Sequence, residues 1–88
     1  WTPLHLAAWV GSRRICKYLL SRGADVTARD RYGRHPLMLS AKKGCGGLSQ
    51  LLIRRNADIY AVDSEGRSVL MYVAWGGNVK LMRWILDK

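Results

Sequence analysis

The chain has 88 residues, with fifteen Lys and Arg against six Asp and Glu and a net charge of +9. About half of it is hydrophobic, too much for a disordered tail, and its length suits one small domain. No apolar run approaches the ~20 residues of a membrane span, and two cysteines, Cys16 and Cys45, are too few for a disulfide scaffold.

Those cysteines belong to no Cys/His cluster with zinc-ligand spacing. They read as reduced thiols of a cytoplasmic or nuclear protein, and Cys16 as a small buried hydrophobe.

Thr2-Pro3 opens the first helix: threonine caps free N–H groups, and proline is tolerated at the first helical position. Leu4, Leu6, Ala7 and Ala8 form its apolar side, and Gly11 ends it. A second helix is predicted from about Ser12 to Arg22. Its apolar set is Ile15, Cys16, Tyr18, Leu19 and Leu20, with Arg13, Arg14, Lys17 and Ser21 toward water. Gly23 ends it, and Ala24 to Gly33 make an extended turn.

The phrase then begins again. Pro3, Pro36 and Val69 stand 33 residues apart, as do Gly11, Gly44 and Gly77, and Leu19, Leu52 and Ile85. "GAD" at Gly23–Asp25 returns as "NAD" at Asn56–Asp58. A fixed period without insertions is the signature of a stacked array, in which no unit buries its own apolar faces.

Thr2-Pro3-Leu4-His5 followed by Ala7-Ala8, at this period, resembles the ankyrin repeat over essentially the whole chain. The resemblance implies an all-α solenoid of helix-turn-helix units joined by extended turns. It implies a single ankyrin-repeat domain over residues 1–88, with repeats at approximately 1–29, 30–62 and 63–88, the first and last incomplete. Trp1 opens inside a repeat, and "NVKLMRWIL" (Asn78 to Leu86) is apolar on most sides, so the array is expected to continue as more repeats, with this helix buried on both flanks, or else to be a minimal fragment with exposed ends. In the family the His5 ring ties neighbouring loops together.

Later copies depart from the pattern. Met38 and Met71 replace His5, Ser40 and Val73 replace Ala7, and Tyr72 replaces Leu6 in what reads as an interior place. His35 stands where the first copy has its capping Thr2. Gly46 and Gly47, early in a helix, each cost ~1 kcal/mol relative to alanine, which makes repeat two the weakest link.

Catalysis finds no support. Asp25, Asp30, Asp58 and Asp63 recur at framework places and organise turns; Glu65 and Asp87 lie far apart. Lys42 to Ser49, "KKGCGGLS", is glycine-rich before a helix, but lacks the Walker spacing. Neither a cofactor nor a metal is expected.

Charge is the larger signal, since a basic surface attracts anionic partners. Side by side, the first helices end in Trp9-Val10, Lys42-Lys43 and Trp75-Gly76. Trp1, Arg34 and Arg67 stand just before them, and the first turn carries Arg31 and Tyr32. By the resemblance, these places face the concave groove or the turn tips, where the family binds partners. With successive helices roughly 10 Å apart, Trp9, Lys42 and Trp75 form a ladder beside Trp1, Arg34 and Arg67. Tryptophan and arginine dominate binding hot spots. Trp84 and Tyr18 share a place that reads as core. Arg13, Arg14, Lys17, Arg22, Arg54, Arg55, Lys80 and Arg83 lie on second helices and read as a solvated surface, with positive charge spread all round. The expectation is a non-enzymatic module that binds another protein with an acidic surface. Single-stranded nucleic acid or an anionic membrane is the alternative, and no small-molecule substrate is expected.

Overall fold

A computed structural model describes the whole chain, Trp1–Lys88. Six helices follow one another: α1 (Pro3–Val10), α2 (Arg13–Ser21), α3 (Pro36–Lys42), α4 (Gly46–Arg54), α5 (Val69–Gly76) and α6 (Val79–Leu86). The sole strand-like feature is an isolated antiparallel bridge between Val62 and Ser68. α1, α3 and α5 pack side by side as an inner layer, and α2, α4 and α6 as an outer one; each outer helix lies on the inner helix before it.

Local chemistry sets the helix ends. Thr2 Oγ1 accepts from the His5 N–H and Ser68 Oγ from the Met71 N–H, both at 3.2 Å. Ser12 caps α2 and Asn78 caps α6 in the same way. His35 and Cys45 supply no side-chain cap to α3 and α4. Gly11 and Gly77 end their helices at φ of 88° and 73°, values that glycine alone adopts without cost. Asn56 takes φ 74° at the place of Gly23, the substitution best tolerated there.

The core runs between the layers through Leu4, Ala7, Leu37, Met38, Leu48, Leu52, Val69, Val73, Leu81 and Ile85. Helix α3, flanked by α1 and α5, is buried from Pro36 through Ala41. Cys16 is fully buried, and burial pushes its thiol up to about 11.

Expectations for two helices need correction. Leu6 is 54 % exposed, whereas Leu39 and Tyr72 at the same place in later copies are buried. The place turns toward the preceding inner helix, and within this chain none precedes α1. Ile15 and Tyr18, read as part of an apolar side and a core place, are likewise exposed, with Leu48 and Leu51 at their places buried and Trp84 half-buried, because within this chain no outer helix precedes α2. In α6, Leu81 and Ile85 are buried, while Val79 and Leu86 are exposed.

Candidate functional site

The turn between repeats is built twice on one plan. In Asp30-Arg31-Tyr32-Gly33-Arg34, Asp30 Oδ1 accepts the N–H groups of Tyr32 and Arg34 at 2.9 and 2.8 Å. Its Oδ2 accepts Arg34 Nε at 2.8 Å and the Trp1 indole N–H at 3.0 Å. In Asp63-Ser64-Glu65-Gly66-Arg67, Asp63 Oδ1 accepts the N–H groups of Glu65 and Arg67, both at 2.9 Å. Its Oδ2 accepts Arg67 Nε at 2.7 Å and the Tyr72 hydroxyl at 2.6 Å. Both carboxylates are fully covered. Burial works against the charge on Asp63, but the bonds from Tyr72, Arg67 and Glu65 outweigh it and hold the carboxyl well below the usual range. The same balance lowers Asp30. Burial, then the bond to Asp63, pushes the Tyr72 phenol up.

Neighbouring turns are tied together. His5 Nε2 meets the Arg34 carbonyl oxygen at 2.7 Å. A carbonyl only accepts, so Nε2 carries the proton and Nδ1 accepts from the Thr2 N–H at 3.2 Å. Met38 provides no such tie to repeat three. There the links are the Ser64 N–H to the Tyr32 carbonyl at 2.9 Å, Arg29 to the Val62 carbonyl at 3.3 Å, and Asn78 Nδ2 to the Gly44 carbonyl at 3.1 Å.

These turns fix the residues singled out in the sequence. Trp1, Arg34 and Arg67 are engaged in the framework through Asp30 and Asp63. The Arg34 guanidinium lies 4.9 Å from the Tyr32 ring centroid and 5.9 Å from that of Trp1, and Arg31 lies 5.6 Å from Tyr32. Trp1 meets Trp9 edge-on at 6.2 Å. Val10 is exposed at the end of α1.

At the end of α3, two adjacent lysines reach to opposite neighbours. Lys42 Nζ lies 4.1 Å from the Trp75 ring centroid on α5, and Lys43 Nζ lies 4.8 Å from Trp9 on α1. The ladder Trp9–Lys42–Trp75 read from the sequence thus becomes two separate pairs. Trp75 is 59 % exposed and stacks on buried Tyr72 at 6.0 Å. Beside it, a Cβ on Gly76 would collide with the Ala41 carbonyl oxygen, so this glycine lets α5 close on α3 and brings Trp75 to Lys42. Tyr72 and Gly76 support the site, whereas the sequence placed Tyr72 only in the interior and Gly76 only at the end of its helix. The signal was an aromatic and a glycine at places where the first copy has Leu6 and Val10. With both ammonium groups over indole rings, neither lysine serves the glycine-rich stretch that opens α4, and the nearest cation to Gly47 is the Arg13 guanidinium.

The charge is not spread evenly. The inner helices carry Lys42 and Lys43 and no acid; the turns carry Arg29, Arg31, Arg34 and Arg67 against Asp25, Asp30, Asp58, Asp63 and Glu65. The outer helices and their C-terminal ends carry Arg13, Arg14, Lys17, Arg22, Arg54, Arg55, Lys80, Arg83 and Lys88 against Asp87 alone. Among all fifteen basic residues, only Arg34 and Arg67 are in ion pairs. No helix is long and apolar enough to cross a membrane.

Comparison with known proteins agrees with the architecture. The model of the ankyrin repeat matches residues 1–31, and that of "Ankyrin repeats (many copies)" matches residues 19–70. "Potassium channel KOR2" of Oryza sativa subsp. japonica is 47 % identical over 36 residues, 41 % of this chain. The match spans 5 % of that protein's length. Six helices in two layers at a period of 33, with the family models covering most of the sequence, lead to one conclusion: the chain belongs to the ankyrin repeat family.

Proposed function

We propose that this chain is a non-enzymatic recognition module whose inner-helix face binds an acidic segment of another protein. Ankyrin repeats generally mediate protein–protein interaction; the acidic partner and the residues that meet it are this proposal. Trp9, Trp75, Lys42 and Lys43 are its centre, with Val10, Trp1, Arg31, Tyr32, Arg34 and Arg67 along the turn side.

The observation that carries the reading is the seating of both ammonium groups over indole rings on a layer that holds no acid. Such a pair keeps its positive charge outward while the ring holds the long side chain, so less rotamer entropy is lost on binding. A carboxylate completes it, and the ring edges offer contact to an apolar anchor. A stacked nucleic-acid base needs a free ring face, and would first have to displace a lysine.

The test is a tryptophan-fluorescence titration with a glutamate-rich peptide carrying one leucine, at physiological salt. A saturable emission change is expected, lost in Lys42→Gln/Lys43→Gln. No saturable change, or one that survives in that variant, contradicts the reading.

A further inference from the structure

We propose that the outer-helix face is a second interaction surface, which docks on an anionic lipid bilayer. It lies in the other helix layer from the tryptophan–lysine face and does not rest on the function proposed for that face.

The charge distribution carries the inference. Nine basic side chains on α2, α4 and α6 and at their ends face a single acid, all nine are exposed, and none is in an ion pair. Helices α2, α4 and α6 lie side by side, and at eight or nine residues each is about 13 Å long. At roughly 10 Å spacing they make a broad patch that presents basic side chains from every helix. No ion pair or turn gathers these cations onto one point, as a single bound phosphate would require. A surface of distributed headgroups is the ligand that such a patch matches.

One further feature favours a bilayer over nucleic acid. The aromatic rings of this layer already carry cations: Arg22 lies 5.8 Å from the Tyr18 centroid, and Arg54 and Lys88 lie 5.4 and 4.3 Å from that of Trp84. Bases would find no open platform there.

Co-sedimentation of the chain with phosphatidylcholine vesicles, with and without phosphatidylserine, tests the proposal at physiological salt. The chain is expected to pellet with the phosphatidylserine vesicles and to stay in solution with phosphatidylcholine alone. Lys17→Gln/Arg55→Gln/Arg83→Gln removes one charge from each outer helix or its end. It is expected to weaken binding roughly a hundredfold, at about fivefold per basic side chain. Lys42→Gln/Lys43→Gln on the inner layer is expected to change it less than about threefold, since those charges lie beyond a Debye length. Should circular dichroism show the triple variant partly unfolded, Arg14→Gln/Lys80→Gln makes the same comparison. Binding that ignores phosphatidylserine, or that falls equally in inner and outer variants, overturns the proposal. Tighter binding of a single-stranded oligonucleotide at the same salt also overturns it and assigns the face to nucleic acid.

Discussion

Lys42 Nζ sits 4.1 Å from the ring centroid of Trp75, while its chain neighbour Lys43 reaches the other way to Trp9. The end of α3 thereby grips both flanking inner helices through cation–π contacts, each worth about 0.5–1 kcal/mol at an exposed site. A double-mutant cycle on Lys42→Gln and Trp75→Leu is expected to show coupling of about that size by urea unfolding. The cycle on Lys43→Gln and Trp9→Leu should match it. The crossed cycle, Lys42→Gln with Trp9→Leu, should show none. Equal coupling in the crossed pair would mean that the lysines do not choose partners.

Asp63 and Tyr72 form a buried hydrogen bond beside that site. Tyr72→Phe removes a hydrogen bond to a charged group and should cost about 1.5–2 kcal/mol. The folded Asp63 carboxyl is held below its ordinary value, so its contribution is fully present above about pH 4 and lost as pH falls below that. Without the Tyr72 hydroxyl the carboxylate is less favoured. The acid-unfolding midpoint of Tyr72→Phe should therefore move to higher pH than that of the wild type, as followed by circular dichroism.

The glycines of the second and third repeats separate by what surrounds them. A Cβ on Gly46 would press on Asn78 Nδ2, which already bonds the Gly44 carbonyl, whereas one on Gly47 would meet only the exposed Arg13 guanidinium. Gly47→Ala is expected to stabilise by about 0.5–1 kcal/mol. Gly46→Ala should gain nothing or lose, and Gly76→Ala should be strongly destabilising through its clash with the Ala41 backbone. Thermal melts of the three variants decide it.

His35 is buried at the N-cap of α3 with Nδ1 unpaired. Its backbone, φ −84° and ψ 159°, nearly equals that of Thr2 at φ −84° and ψ 165°. His35→Thr should therefore restore the missing cap and stabilise by about 1 kcal/mol. Burial first, then Arg29, holds the His35 imidazole below its ordinary value of 6.5, with Asp58 and Asp25 pulling weakly the other way. The unfolded chain takes up that proton more readily, so wild-type stability falls as pH drops below about 6.5. The threonine variant should show a shallower fall over the same range in pH-dependent urea melts.

The array was legible in the sequence because its period is exact to the residue and its punctuation is chemical. Pro3 and Pro36, the glycines at Gly11, Gly44 and Gly77, and the aspartates of the turns each encode a backbone event that one residue type favours. What was not legible lay between repeats. Leu6 and Tyr72 share a place, yet one is exposed and the other buried, because burial depends on the neighbouring helix and not on the side chain. The ladder was read as Trp9–Lys42–Trp75 from spacing alone, but a lysine can turn to either side, and its choice is made by the reach of Trp75 over Gly76. Charge was read as spread all round, since only the two-layer packing separates the inner helices, with two lysines, from the nine basic residues outside.

The central claim is that the tryptophan–lysine face captures a protein, and a nuclease-treated pull-down at physiological salt addresses it most directly. Wild type, Trp9→Ala/Trp75→Ala and Lys17→Gln/Arg55→Gln/Arg83→Gln would be compared after circular dichroism confirms that all three are folded. The account predicts a protein retained by the wild type and the outer-face variant, and lost from the tryptophan variant. Retention by the tryptophan variant, or no protein surviving nuclease and salt, would contradict it.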